Sequence, residues 1–233
     1  MKIHRFIGNF DLSKKDFEIK DKEIVNQMKN VLRLKVGEKV ELCDGKHISV
    51  IALICKIEKN SIIVSIKEME EDKNKTKNNV TLFCAVLKKE NFELVVQKAT
   101  ECGVLKIVPI ISERTIKTGL NMERLRKIAK EASEQCGRVN IPEILEPVSF
   151  DESLKLINEK NINIIFDISG ESLGGLTAKL ENINIFIGPE GGWTEKEIAE
   201  AKNLNFKIAT LGPLTLRGET AAIVATYLIS SLE

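Results

Sequence analysis

Hydrophobic positions fall into two regimes on either side of a polar gap. From Val40 to Lys67 the apolar residues come in short β-branched runs, Val40–Cys43, His47–Ile57 and Ile62–Ile66, with Asp44-Gly45 between the first two as a hairpin turn. This pattern predicts a meander or small barrel. Upstream, Ile24, Val25, Met28, Val31 and Leu32 recur at helical spacing and Gly37 follows where the pattern stops, so a short helix is expected to pack on the β module. The stretch EEDKNKTKNN, residues 70–79, holds no apolar residue. It predicts a linker at 73–79 between a domain of residues 1–72 and another of residues 80–233.

Beyond the gap, short apolar strands alternate with amphipathic helices. Strands are expected at Thr81–Val86, Ile107–Ile110, Ile162–Asp167, Ile183–Ile187 and Ile208–Leu211, and helices near Phe92–Cys102, Met122–Cys136, Glu152–Glu159, Glu195–Asn203 and Glu219–Ser231. Alternation of this kind indicates an α/β domain with a largely parallel sheet.

Composition narrows the chemistry. The 233 residues carry a net charge of only +1. Residues 1–79 nevertheless hold 17 Lys and Arg against 13 Asp and Glu (+4), and residues 80–233 hold 18 against 21 (−3). The basic half fits a nucleic-acid-facing module, although a solvated surface explains so mild an excess equally well. With five cysteines and no C-x-x-C pair, neither a disulfide framework nor a metal site is expected. With only His4 and His47, a Ser-His-Asp triad has little to draw on. No segment resembles a bilayer span or a secretory leader, so the expected location is the cytoplasm, with no membrane partner.

Two strand ends carry candidate chemistry. Ile183–Ile187 runs into Gly188-Pro189-Glu190-Gly191-Gly192, and Thr194 with Glu197 then forms a capping-box pattern that opens a helix. Glycines at the carboxyl end of a parallel strand let backbone approach a ligand, although a tight strand-to-helix turn would use them too. The spacing matches neither the Walker phosphate loop nor the dinucleotide fingerprint. A second strand end, Ala209 to Ala222, brings Leu211, Gly212, Leu214 and Leu216 as a slot for an apolar or adenine portion, with Arg217 as a planar cation and Thr220 as an early-turn hydroxyl. Glu219 and Thr220 also read simply as first-turn helix residues.

The segments IGPEGGWTEKEI (187–198) and LGPLTLRGETA (211–221) resemble the two hallmark motifs of the 16S ribosomal RNA uracil-N3 methyltransferase family, RsmE, within the SPOUT superfamily. The resemblance extends through His4-Arg5-Phe6, Val31–Leu34, Glu93–Val104, Pro109–Arg114 and Glu131–Pro142. It implies an N-terminal PUA-like RNA-binding β-barrel and a C-terminal SPOUT α/β domain whose backbone is threaded into a trefoil knot. It also implies S-adenosyl-L-methionine as cofactor, held by the two glycine-rich loops, and a homodimer whose subunits share each working site. The chain departs from the family at Gln27, where histidine is common, and at Gly218, where threonine is common.

The resemblance assigns the cofactor to Ile187, Gly188, Pro189, Glu190, Gly191, Gly192, Leu211, Gly212, Leu214, Leu216, Arg217, Thr220 and Ala221. The substrate it implies is 16S rRNA or the small ribosomal subunit, with Arg5, Arg33, Lys88, Lys98, Arg114 and Arg138 as cations for RNA. Methyl transfer to a uracil nitrogen asks for stabilisation of developing negative charge, expected of Arg217, and for a proton acceptor, expected of Glu190 or Glu219. Trp193 fits packing as well as base stacking. The last helix has almost no polar face, which agrees with burial against a second subunit. The competing reading is a non-catalytic RNA-binding or ribosome-assembly protein that retains the fold.

Overall fold

The computed structural model describes residues 3–70, 76, 78–116, 119–158, 160–173 and 182–232. The chain divides into two compact units, Met1–Lys75 with Ser133–Ile141, and Thr76–Ala132 with Pro142–Glu233. Residues 73–75 and 77 of the expected linker lie outside the described residues.

In the first unit, β1 (His4–Ile7), β2 (Asp16–Ile19), β3 (Lys39–Cys43), β4 (Ser49–Ile57) and β5 (Ile62–Glu70) form one sheet in the order β1-β3-β4-β5-β2. Register shifts in the β4–β5 ladder mark bulges, which bend strands. Phe6 from one edge strand and Ile19 from the other join a single core with Leu42, Ile54 and Val64. A curled, barrel-like sheet brings such inward-facing residues together. Helix α1 (Lys22–Asn26) starts where the Asp21 carboxylate accepts from the Glu23 and Ile24 amides, a cap that satisfies two otherwise orphaned donors. It continues into a π-helical turn, Gln27–Val31, and ends at Arg33 with φ of 53°. Of the five positions at helical spacing, Ile24, Val25 and Met28 are buried and Leu32 packs partly against the same core, whereas Val31 is exposed.

A return of the chain completes this unit. The Ile7 amide donates to Glu134 at 2.8 Å, Val139 packs on Ile7 and Cys43, and the Ile141 amide donates to the Gly45 carbonyl at 3.1 Å. The expectation of one crossing at 73–79 does not include this return.

In the second unit β6 (Asn79–Ala85), α2 (Lys89–Glu101), β7 (Lys106–Ile111), α3 (Met122–Cys136), β8 (Glu143–Ile144), β9 (Val148–Ser149), α4 (Phe150–Lys155), β10 (Ile162–Ser172), β11 (Asn182–Ile187), α5 (Glu195–Asn203), β12 (Lys207–Thr210) and α6 (Gly218–Ser230) follow in sequence. The sheet order is β12-β10-β11-β6-β7-β8, with β9 also on β7, and every pairing is parallel. Expected helices and strands recur with shifted ends. The Glu152–Glu159 helix is α4, which starts at Phe150 behind a Ser149 cap and stops at Lys155; Glu159 lies outside the described residues. Phe83 and Phe186 stack with ring centroids 4.3 Å apart, and Trp193 and Phe206 close the core around them.

Candidate functional site

Because β12, β10 and β11 are neighbours, the segments at their carboxyl ends meet, the place where parallel sheets present ligands. Between them lies a cavity of about 490 Å³, within the range of small-molecule sites. The turn after β11 closes when the Gly192 amide donates to the Pro189 carbonyl at 2.9 Å, with Gly192 at φ of 69°, a conformation that favours glycine. After β12 the Thr210 hydroxyl donates to the Gly212 carbonyl at 3.0 Å. The third wall is a break in the β10–β12 pairing: Ala209 is opposite both Phe166 and Glu171, so residues 167–170 bulge out of the ladder.

Of the positions expected to hold a cofactor, the wall contains Ile187 through Gly192, Leu211, Leu214, Leu216, Arg217 and Ala221; Gly212 and Thr220 lie outside it. Sequence reasoning missed Phe166, Asp167 and Ile168, which the wall also contains. The available signals were a carboxylate at a predicted strand end and the glycines that follow it at 170, 174 and 175.

Among the described residues, three that line the cavity are charged, Asp167, Glu190 and Arg217. One Asp167 oxygen accepts from the Ser169 amide and hydroxyl at 2.9 and 2.6 Å. Arg217 is the N-cap of α6, so its cation adds to the positive helix end. Glu219, the other expected proton acceptor, is buried and is not among the lining residues; the Asn91 amide donates to it at 3.3 Å. Gly218 packs closely, because an added Cβ would come within 2.8 Å of a terminal methyl of Leu87, which would have to shift to admit a larger residue. Cys84, at the end of β6, offers no thiolate: full burial pushes its thiol well above the ordinary value, and the Glu190 charge adds to the shift.

Trp193 is a packing residue. Its indole N–H donates to the Phe166 carbonyl at 3.1 Å, and a Cβ on Gly188 would press on its ring at 3.1 Å. The Thr194–Glu197 capping box forms as its spacing predicts.

The six cations expected for RNA differ in their surroundings. Arg5 pairs with Glu41 at 2.6 Å across the β1–β3 ladder, Lys98 with Glu101 at 2.9 Å, and Arg138 is buried with its Nε on Asn140. Arg114 donates to the carbonyls of Gly191 and Trp193. Arg33 and Lys88 are exposed. Among the described residues no cluster of three or more His, Cys, Asp or Glu could hold a metal ion, and no helix is long and apolar enough to cross a membrane.

Comparison with known proteins matches this geometry to a family. Residues 74–230 match the RNA methyltransferase domain and residues 19–67 the RNA methyltransferase PUA domain. The chain is 35% identical to the ribosomal RNA small subunit methyltransferase E of Rickettsia conorii, covering 97% of this chain and 94% of that one. The Bacillus subtilis protein of the same name is 26% identical over 89% of this chain and 87% of its own length. Among solved structures, the Neisseria gonorrhoeae ribosomal RNA small subunit methyltransferase E bound to S-adenosyl methionine superposes with a TM-score of 0.92 at 31% identity, covering 99% of this chain and 98% of that one. A PUA-like unit followed by a SPOUT-type α/β unit with a pocket at three adjacent strand ends is therefore the architecture of an S-adenosylmethionine-dependent rRNA methyltransferase, and the chain belongs to the ribosomal RNA small subunit methyltransferase E family.

Proposed function

We propose that this chain methylates N3 of a uridine in 16S rRNA, in the cytoplasm, with the first unit holding RNA and the cavity of the second holding S-adenosylmethionine. The observation that carries the reading is the match between wall and ligand charge. Two carboxylates, Asp167 and Glu190, against one guanidinium, Arg217, give the wall an excess of one negative charge, which suits a cofactor whose two cationic centres outweigh its one carboxylate. The exposed apolar wall residue Leu214 and the glycine backbone suit its adenosine portion. When bound, the cofactor supplies an activated methyl group on a sulfonium. The protein's task is to align the acceptor nitrogen and exclude water. Arg217 steadies the negative charge that develops on the uracil ring, and Glu190 accepts the N3 proton; Glu219, hydrogen-bonded to Asn91, serves the fold.

A homodimer is part of this proposal, supported by Tyr227 and Leu228 on α6, which are 60% and 39% exposed, and Leu94 on the packed neighbour α2 at 39%. Arg33 and Lys88, exposed, are the cations this reading assigns to RNA phosphate. Calorimetry with S-adenosylmethionine and methyl-transfer assays on 16S rRNA test the assignment. Arg217→Ala should slow turnover about a hundredfold, as loss of a charge-assisted donor does, while cofactor affinity changes far less. Equal loss of affinity and turnover would move Arg217 to cofactor binding. Persistence of every N3-methylated uridine in the 16S rRNA of cells lacking the protein would overturn the reaction assigned here.

A further inference from the structure

A tight turn leads out of β7 beside the glycine-rich loop. The Ser112 amide donates to the Thr115 hydroxyl oxygen and the Thr115 amide to the Ser112 carbonyl, both at 3.0 Å. Two neighbours in this turn reach across to the loop after β11. The Glu113 amide donates at 3.1 Å to one oxygen of Glu197, which is 5% exposed and whose other oxygen accepts from the Thr194 amide and hydroxyl. One Arg114 Nη donates to the Gly191 carbonyl at 2.8 Å and to the Trp193 carbonyl at 3.2 Å. The Arg114 stem lies against Gly191, whose Cβ, if present, would sit 3.4 Å from the Arg114 Cβ and Cδ.

We infer that Arg114 is a positioning residue for the cofactor loop, not a cation for RNA phosphate. Gly191 and Gly192 are consecutive, and a glycine pair has more backbone freedom to lose than any other. Gly191, Gly192 and Trp193 all line the cavity. A carbonyl bonded to Arg114 is held on the turn's side of the loop and cannot swing into the cavity. A single guanidinium bridging carbonyls two residues apart therefore holds the loop before the ligand arrives, and such preorganisation appears as affinity. Lysine has the charge, but its ammonium stands one bond nearer the backbone than an Arg Nη and is more strongly hydrated, so it meets the two fixed acceptors less well. The inference rests on the cavity being the S-adenosylmethionine site.

Trp193 is the only tryptophan in the chain and its carbonyl is an Arg114 acceptor, so its emission reports on the brace directly. The experiment titrates wild type, Arg114→Lys and Arg114→Ala with S-adenosylmethionine, records Trp193 emission before and after addition, and measures 16S rRNA affinity across a salt series. The brace predicts that Arg114→Ala weakens the cofactor about tenfold and shifts the emission of the ligand-free protein, that Arg114→Lys recovers only part of both, and that the salt slope for RNA is unchanged in either variant. A phosphate contact predicts the reverse: cofactor affinity and emission as in wild type, a salt slope lower by about one in Arg114→Ala, and restoration by lysine. That result would overturn the inference. Failure of the wild type itself to bind S-adenosylmethionine would instead remove the functional reading beneath it.

Discussion

Gly170 is where β10 comes back to its neighbour, and replacing it with alanine should open the cofactor cavity. An added Cβ would stand 2.5 Å from the Ala209 carbonyl carbon and 2.7 Å from its Cα and N. Carbon atoms in contact sit about 3.5–4.0 Å apart, so the two strands must separate by about 1 Å, and backbone has no rotamer with which to yield. The pairings of Glu171 with Ala209 and Ser172 with Thr210 lie at this point and would loosen. Overpacking costs about 1–3 kcal/mol and each lost ladder hydrogen bond about 1 kcal/mol, giving about 3 kcal/mol in all. Because Asp167 and Ile168 precede Gly170 on the same bulge and line the cavity with Phe166 just before them, affinity should fall with stability. Urea denaturation and S-adenosylmethionine calorimetry measure the two effects. Gly119→Ala is the control, since nothing lies within 4 Å of its added Cβ. If Gly170→Ala keeps its stability within about 0.5 kcal/mol and its affinity unchanged, the close approach of β10 and β12 does not hold the site.

Two further outcomes are expected. The Asn78 side-chain amide donates to the carbonyls of Ile229 at 2.9 Å and Leu232 at 3.2 Å at the end of α6, so Asn78→Ala should cost about 1–2 kcal/mol in urea denaturation while calorimetry finds cofactor affinity unchanged. Burial pushes the Cys43 thiol up to about 11, and Cys84 higher still, whereas Cys55 is exposed; alkylation at pH 8 followed by peptide mass analysis should therefore label Cys55 while Cys43 and Cys84 react only after unfolding, and early labelling of Cys84 would contradict its burial beneath the site.

The parts of the site built from local chemistry were legible in the sequence. Strand, glycine turn and capping box occupy consecutive residues from Ile183 to Glu197, and each follows from spacing alone. Contributions fixed by distant pairing were not. Asp167 reaches the cavity because the ladder to β12 breaks after Phe166, and although Gly170 permits the return, a lone glycine in a strand pattern does not say which neighbour it meets. Arg5 reads as a surface cation until the parallel register sets Glu41 opposite it. Arg138 follows a helix that carries Arg124, Arg126, Lys127 and Lys130 and so reads as one more surface cation, yet it lies in the return of residues 133–141 to the first unit and is buried. β1 and β2, four residues each, are too short for alternation to stand out from the surrounding polar residues. The helix over Ile24–Leu32 was visible in its periodicity, but its change to π-helical pitch at Gln27 was not, because the apolar spacing is compatible with both.

The order of strands in the parallel sheet has a consequence for how the chain is made. β6, α2 and β7 are contiguous and can form as a βαβ unit soon after they are synthesised, yet the other partner of β6 is β11, which begins at Asn182. At about 5–20 residues per second, on the order of a hundred residues must follow before β11 emerges, so for roughly 5–20 s the β6 edge stands without its partner. Val80, Leu82 and Cys84, fully buried in the finished sheet, lie on that strand. An apolar edge with unpaired backbone donors and acceptors is a template for association with other chains. A nascent chain that ends before Asn182 therefore exposes an edge that the finished sheet covers.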